Sequence, residues 1–303
     1  MRIISFTPRS APASTPRAGA LLPGDTSVLN FPVAVDASAD VPLVAWFDLD
    51  DEWLPTVSQI HDQLVKDPNR TVTLPRGSVL PADEVAIGPP VPRPAKIICI
   101  GLNYKDHAAE SHMPVPTSPI TFSKYPTAVI GPGRPIRLPK VSAQVDYEAE
   151  LAIVIGRRAK HVPLERAFEY VLGYTNLNDV SARDLQFADK QWQRGKSCDT
   201  FAPIGPSIVT RDTIPDPHQL RIRLRLNGEV LQDSSTNQLV FGVDRLVSFL
   251  SETVTLEPGD LIATGTPPGV GFARTPPVFL KPGDTVEVEV EGLGVLSNPV
   301  QAD

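Results

Sequence analysis

The chain has little cysteine: only Cys99 and Cys198 are present, and neither belongs to a CxxC pair. That argues against a disulfide framework or a thiolate zinc site and favours a reducing intracellular setting. Long apolar runs are also missing, since none reaches the ~18 residues that a membrane helix needs. Basic excess is missing too. The net charge is -7 and no Lys/Arg stripe is clustered anywhere, which speaks against nucleic-acid binding. Before Asp25 there is no acidic residue, while Arg2, Arg9 and Arg17 are present. Such a composition is compatible with an organelle transit peptide. However, Pro8, Pro12 and Pro16 oppose the amphipathic helix that these peptides form, and residues 2–6 also read as a short first strand.

What is present is the composition of a globular protein, with 41% apolar and 21% charged residues over 303 positions, enough for one big domain or two. The 33 prolines predict many short elements and rigid turns rather than long helices. The clearest punctuation is Gly88-Pro89-Pro90-Val91-Pro92-Arg93-Pro94. It divides a small N-terminal α/β domain with its Pro-rich linker, residues 1–94, from a larger domain, residues 95–303. The first carries a helix candidate at 57–64, and the second opens on a buried strand at 96–101. Strand signals then dominate. Residues 221–226 alternate strictly, Asn227-Gly228 offers a two-residue I′ turn, and 229–232 return. Pro258-Gly259-Asp260 and Pro282-Gly283-Asp284 each open a strand, and in the second Glu287, Glu289 and Glu291 read as a solvated face. A helix is predicted at 243–252, with Leu246, Val247, Phe249 and Leu250 as its buried stripe. The expected class is mainly β with some α.

Chemistry concentrates in a few segments. In Val145-Asp146-Tyr147-Glu148-Ala149-Glu150-Leu151-Ala152-Ile153-Val154-Ile155-Gly156, an apolar strand carries two carboxylates at i and i+2. Alternation points Glu148 and Glu150 the same way, roughly 6–7 Å apart along the strand. Two adjacent anions on a core strand need a cation between them, and a divalent metal is the natural candidate; a strand with one solvated face is the plainer one. After the strand at 96–101, His107 and Glu110 stand at i, i+3 on a candidate helix, as a general-base pair or an incidental surface ion pair. Asp179 could supply a third oxygen ligand or cap a helix. Lys196, flanked by Gly195 and small residues, can approach a site closely, although most lysines are merely solvated. Residues 264–271 offer backbone N–H groups and hydroxyls suited to holding a carboxylate, or only a Gly/Pro turn.

Together and in this order, these segments resemble the fumarylacetoacetate hydrolase superfamily. Its G-x-N-Y-x-x-H-x-x-E lid, E-x-E strand, N-D-x-[ST]-x-R-D segment and G-K-S-x-D-T-F loop are all matched, over about residues 95–300. Asp216-Pro217-His218 and Thr236-Asn237-Gln238 are among the details similar to the superfamily's oxaloacetate tautomerase branch. The resemblance implies an α+β, mainly β fold, a mixed β-sandwich roll with a small N-terminal domain. It further implies Glu148, Glu150 and Asp179 as metal ligands, Lys196 beside the metal and the substrate oxygens, His107 and Glu110 as a dyad on a closing lid, and Gln186 and Thr266 as substrate contacts. An all-carboxylate site suits Mg²⁺ first, with Mn²⁺ or Ca²⁺ after it. The implied reaction passes through a stabilised enolate of a small α-keto or β-dicarbonyl acid. Oxaloacetate keto–enol tautomerisation leads, ahead of acylpyruvate hydrolysis or oxaloacetate decarboxylation, with a non-catalytic metal-binding scaffold as a remoter alternative. The expected partners are a small dicarboxylate or α-keto acid and a second copy of the chain in a homodimer, with neither nucleic acid nor membrane. Location in the mitochondrial matrix is favoured over the cytoplasm.

Overall fold

The computed structural model describes residues 1–36, 41–67, 74–110, 112–188 and 190–303. Two sheets organise it. The larger, of twelve strands, runs in the order Val79–Pro81, Ser27–Asn30, Arg17–Leu21, Arg2–Pro8, Ala202–Thr210, Val171–Asn178, Ala149–Ile155, Leu261–Ala263, Ile97–Gly101, Ile120–Ser123, with Val85–Ile87 and Val129–Ile130 pairing off this path. The smaller has five strands, in the order Glu229–Ser235, Arg221–Leu226, Thr285–Val290, Val295–Ala302, Ile136–Leu138. The mainly β class with some α expected of the sequence is what forms.

Local patterns explain many of these elements. Asn227 and Gly228 both take positive φ, as a I′ turn demands, and they close the hairpin of Arg221–Leu226 and Glu229–Ser235. The helices expected at 57–64 and 243–252 form as Trp53–Lys66 and Val243–Thr253; the latter buries Leu246, Val247 and Leu250, with Phe249 half-buried. Residues 2–6 lie in a strand, paired with Arg17–Leu21 on one side and with Val209 and Ile208 on the other. The acidic face of Thr285–Val290 is only partly solvated, because Glu289 is bonded to Arg223 and Arg225 across the sheet.

The strand Ala149–Ile155 is buried along its whole length. Its odd positions Leu151, Ile153 and Ile155 join the core shared with the five-stranded sheet and the helix Val243–Thr253. Its even positions Ala152 and Val154 join a second core with Phe31, Trp46, Phe47 and Val57. The plainer reading of this strand, one solvated face, does not apply. Apolar packing on both faces leaves its polar N-terminal end, at Glu148 and Glu150, as the place where charge gathers.

A buried amide ties the two sheets. Asn176 donates from Nδ2 to the carbonyls of Gly205, at 2.9 Å, and Gly294, at 3.1 Å, and its Oδ1 accepts from the Val290 N–H at 2.7 Å. Asn176→Ala would strip partners from three backbone groups at once, costing about 3 kcal/mol or more. A lowered urea midpoint with an unchanged slope is the expected outcome; an unchanged midpoint would show that water replaces the amide without penalty.

Candidate active site

The site lies where the strand Ala149–Ile155 begins and its antiparallel neighbour Val171–Asn178 ends, with Ala149 opposite Asn178. The Asp179 N–H donates to the Glu148 carbonyl at 2.9 Å, so the ladder continues one step past the strands and sets the two residues side by side. Glu148, Glu150 and Asp179 each offer a carboxylate oxygen, and these oxygens lie within 4.8 Å of one another. All three residues are buried. Asp179 caps no helix; its carboxylate is taken by two lysines.

Cations surround the cluster. Lys196 Nζ donates to Glu148 Oε2 and to Asp179 Oδ2, both at 2.8 Å. Lys124 Nζ binds the other oxygen of Asp179 and the Val180 carbonyl. Arg183 meets Glu148 at 2.7 Å and Asp146 at 2.8 Å, with its guanidinium 4.4 Å above the Phe272 ring. Lys196 reaches this depth because Gly195 lacks a side chain: a Cβ there would stand 2.6 Å from the Gln186 nitrogen.

The charges do not balance. Asp146, Glu148, Glu150 and Asp179 are four anions against the three cations Lys124, Arg183 and Lys196. Burial pushes the Glu148 carboxyl up, but Lys196 and Arg183 hold it down at about 2. Burial likewise opposes charge on Lys196, yet Asp179 and Glu148 raise its pKa and keep it an ammonium. Among the described residues, Glu150 pairs with no cation of its own and accepts only from the Gly265 N–H, at 2.8 Å. Burial, then Asp179 and Glu148, push its carboxyl well above the ordinary carboxylate range. With Glu150 ionised, the three converging oxygens carry a surplus negative charge, an arrangement that a hard divalent cation would fit.

A cavity of about 280 Å³ opens over this cluster. Glu148, Glu150, Gln186, Lys196, Thr266 and His107 all line it. Glu110 stands behind His107, accepting from Nδ1 at 3.0 Å and from the Gly269 N–H at 2.9 Å. Both belong to the short helix Lys105–Glu110, so the i, i+3 contact forms as the spacing predicts. Burial opposes ionisation of Glu110, but His107 and the Gly269 amide lower its pKa overall. Gln186 accepts from Arg183 at 2.9 Å. The Gly/Pro loop does hold carboxylates, and they are the protein's own: besides Gly265 and Gly269, Gly271 and Phe272 donate to Asp146.

Four residues of this network escape the sequence argument. Asp146 lies one alternation step before Glu148 and Arg183 lies inside the segment after Asp179, so spacing was a usable signal for both. Lys124 and Gln232, which accepts from the Ala149 N–H between the two glutamates, carry none; only the fold brings them in.

Fold and site together define an enzyme built on a buried carboxylate cluster under a small cavity. The family model described as fumarylacetoacetate (FAA) hydrolase C-terminal matches residues 96–301, and the chain belongs to that family. A Xenopus laevis protein named mitochondrial oxaloacetate tautomerase fahd2 is 43% identical over 302 residues, covering 99% of this chain and 90% of its own. The Homo sapiens protein named mitochondrial oxaloacetate tautomerase FAHD2A is 47% identical over 254 residues, 81% of each chain. Among solved structures, the fumarylacetoacetate hydrolase of Exiguobacterium antarcticum superposes with a TM-score of 0.81 at 35% identity, covering 100% of both chains.

The two glutamates respond to pH in opposite directions. The depressed Glu148 contributes stability above its ordinary value of 4.5, lost as the pH falls to about 2. The raised Glu150 contributes stability below the ordinary carboxylate range, lost as the pH rises through its folded value. A divalent cation held by the three carboxylates would restore the second loss. The rise in Tm on adding Mg²⁺ should therefore be greater at pH 8 than at pH 5 by about 3 °C or more. Equal rises would show that the cation displaces no proton from Glu150.

Proposed function

We propose that this protein catalyses the keto–enol tautomerisation of oxaloacetate, with Mg²⁺ held by Glu148, Glu150 and Asp179. The observation that carries the proposal is that Glu148, Glu150, Lys196 and His107 line one cavity, with Asp179 and Glu110 directly behind them. The names of the relatives supply the substrate. When bound, the cation contributes Lewis-acid stabilisation of the negative charge that develops as a proton leaves carbon.

The side chains account for the remaining work. Lys196, kept protonated by its two carboxylates, offers positive charge to a substrate oxygen rather than acting as a base. Glu110 takes Nδ1 of His107, which sets the tautomer and leaves Nε2 as the nitrogen that can remove and return the proton. Gln186, oriented by Arg183, and Thr266 contact the substrate from the cavity wall. We also propose residues 95–303 as the catalytic domain, a homodimer as the assembly, and the mitochondrion, which the relatives' names carry, as the compartment. No helix of the described residues is long and apolar enough to cross a membrane.

The dyad supports a second reading. A histidine held by a carboxylate can activate water, and with it the same site would hydrolyse an acylpyruvate.

The test follows enol-oxaloacetate by ultraviolet absorbance with Mg²⁺ while pyruvate is assayed in the same sample. Enol decay without pyruvate is expected, and His107→Ala should slow it about 100-fold or more. Pyruvate appearing in step would indicate decarboxylation. Inactivity toward oxaloacetate with cleavage of acetylpyruvate would replace the proposal with the hydrolase.

A further inference from the structure

Gln232 lies on the outer strand of the five-stranded sheet, far in sequence from every site residue, yet it is 1% exposed and all of its polar atoms are engaged. Its Oε1 accepts from the Ala149 N–H at 2.9 Å, between the two glutamates. Its Nε2 donates to the Pro267 carbonyl at 2.8 Å and to Thr266 Oγ1 at 2.9 Å. The amide cannot be turned over. A flip would set its oxygen against the Pro267 carbonyl and its NH₂ against the Ala149 N–H, losing both bonds.

That fixed polarity passes to Thr266. Its hydroxyl oxygen accepts from Gln232, so its own proton must be donated elsewhere. Among the described residues no protein acceptor takes it, and Thr266 lines the cavity. We propose that Gln232 is a positioning residue that makes Thr266 an obligate hydrogen-bond donor, selecting substrates that present an acceptor-only oxygen, a carboxylate or carbonyl, at that wall. The inference rests on the proposed reading for its substrate, but its logic needs only a ligand rich in acceptors. It also links the metal strand to the substrate wall, because one amide holds Ala149 and Thr266 together.

The test is a double-mutant cycle read by calorimetric binding of malonate to the Mg²⁺-loaded protein. Gln232→Glu keeps the shape and the bond to Ala149 but turns the Thr266 proton toward the new carboxylate, so malonate affinity should fall about tenfold or more. Thr266→Val should lose as much, and Thr266→Ser should stay within about threefold of wild type. Adding Gln232→Glu to Thr266→Val should cost nothing further, because the donor is already gone. With enol-oxaloacetate, Gln232→Glu should raise KM more than it lowers kcat. Additive losses in the double variant would overturn the inference, as would unchanged malonate affinity in a folded Gln232→Glu protein or no malonate binding by wild type. Should Gln232→Glu not fold, Gln232→Met releases the Thr266 hydroxyl to rotate and should weaken malonate about threefold; no weakening would overturn the inference. Absence of enol decay in wild type removes the proposed reaction alone, since malonate binding reads the Thr266 donor without turnover.

Discussion

Ionised carboxylates cannot be buried side by side unless cations or hydrogen-bond donors reach each of them. The beginning of the strand Ala149–Ile155 is organised by that requirement. Asp146 draws in Arg183 and the amides of Gly271 and Phe272. Glu148 shares Arg183 and Lys196, and Asp179 collects both lysines. Segments separated by more than a hundred residues thus meet at one point because each carries part of the neutralisation. Glu150 is the member left over, and burial beside Asp179 and Glu148 raises its proton affinity.

The Gly/Pro loop following Leu261–Ala263 serves this constraint with its backbone. Gly265 holds Glu150 and Gly269 holds Glu110, so one short segment fixes a residue of the cluster and a residue of the helix Lys105–Glu110. Gln232 adds a third tether from the other sheet, joining Ala149 to Thr266 and Pro267. The cavity wall is therefore assembled mostly from groups whose orientation is already spoken for. The Thr266 proton and Nε2 of His107 are among the groups left to face the cavity.

How much of this could be read beforehand depended on whether the cause was local. The i, i+2 glutamates, the His107–Glu110 spacing, the Asn227-Gly228 turn and the helix Val243–Thr253 are set by neighbours in sequence, and strand or helix periodicity exposes them. Glu289 shows the limit of such patterns. Its alternation suggests a solvated face, but Arg223 and Arg225 on the adjacent strand share its carboxylate. Lys124 in Phe122-Ser123-Lys124-Tyr125 looks like any surface lysine, and only its approach to Asp179 makes it part of the site. The pairing of Arg2 with Val209 was invisible for the same reason, since partner choice between distant strands is decided by packing. The loop at 264–271 was legible in kind, as a cradle for carboxylates, but not in which carboxylates it holds.

The register of Ala149–Ile155 has a corollary. The strand is paired with Val171–Asn178 on one side and Leu261–Ala263 on the other, and both of its faces are packed. Inserting or deleting a single residue within it would turn Glu150 toward the opposite core and away from Asp179. Substitutions among Leu151, Ile153 and Val154 can be absorbed by repacking, and the one irregularity in the ladder lies at the far end, between Val154 and Ile155. Between the paired acids and that irregularity the spacing of residues, more than their identity, is what keeps Glu150 beside Asp179.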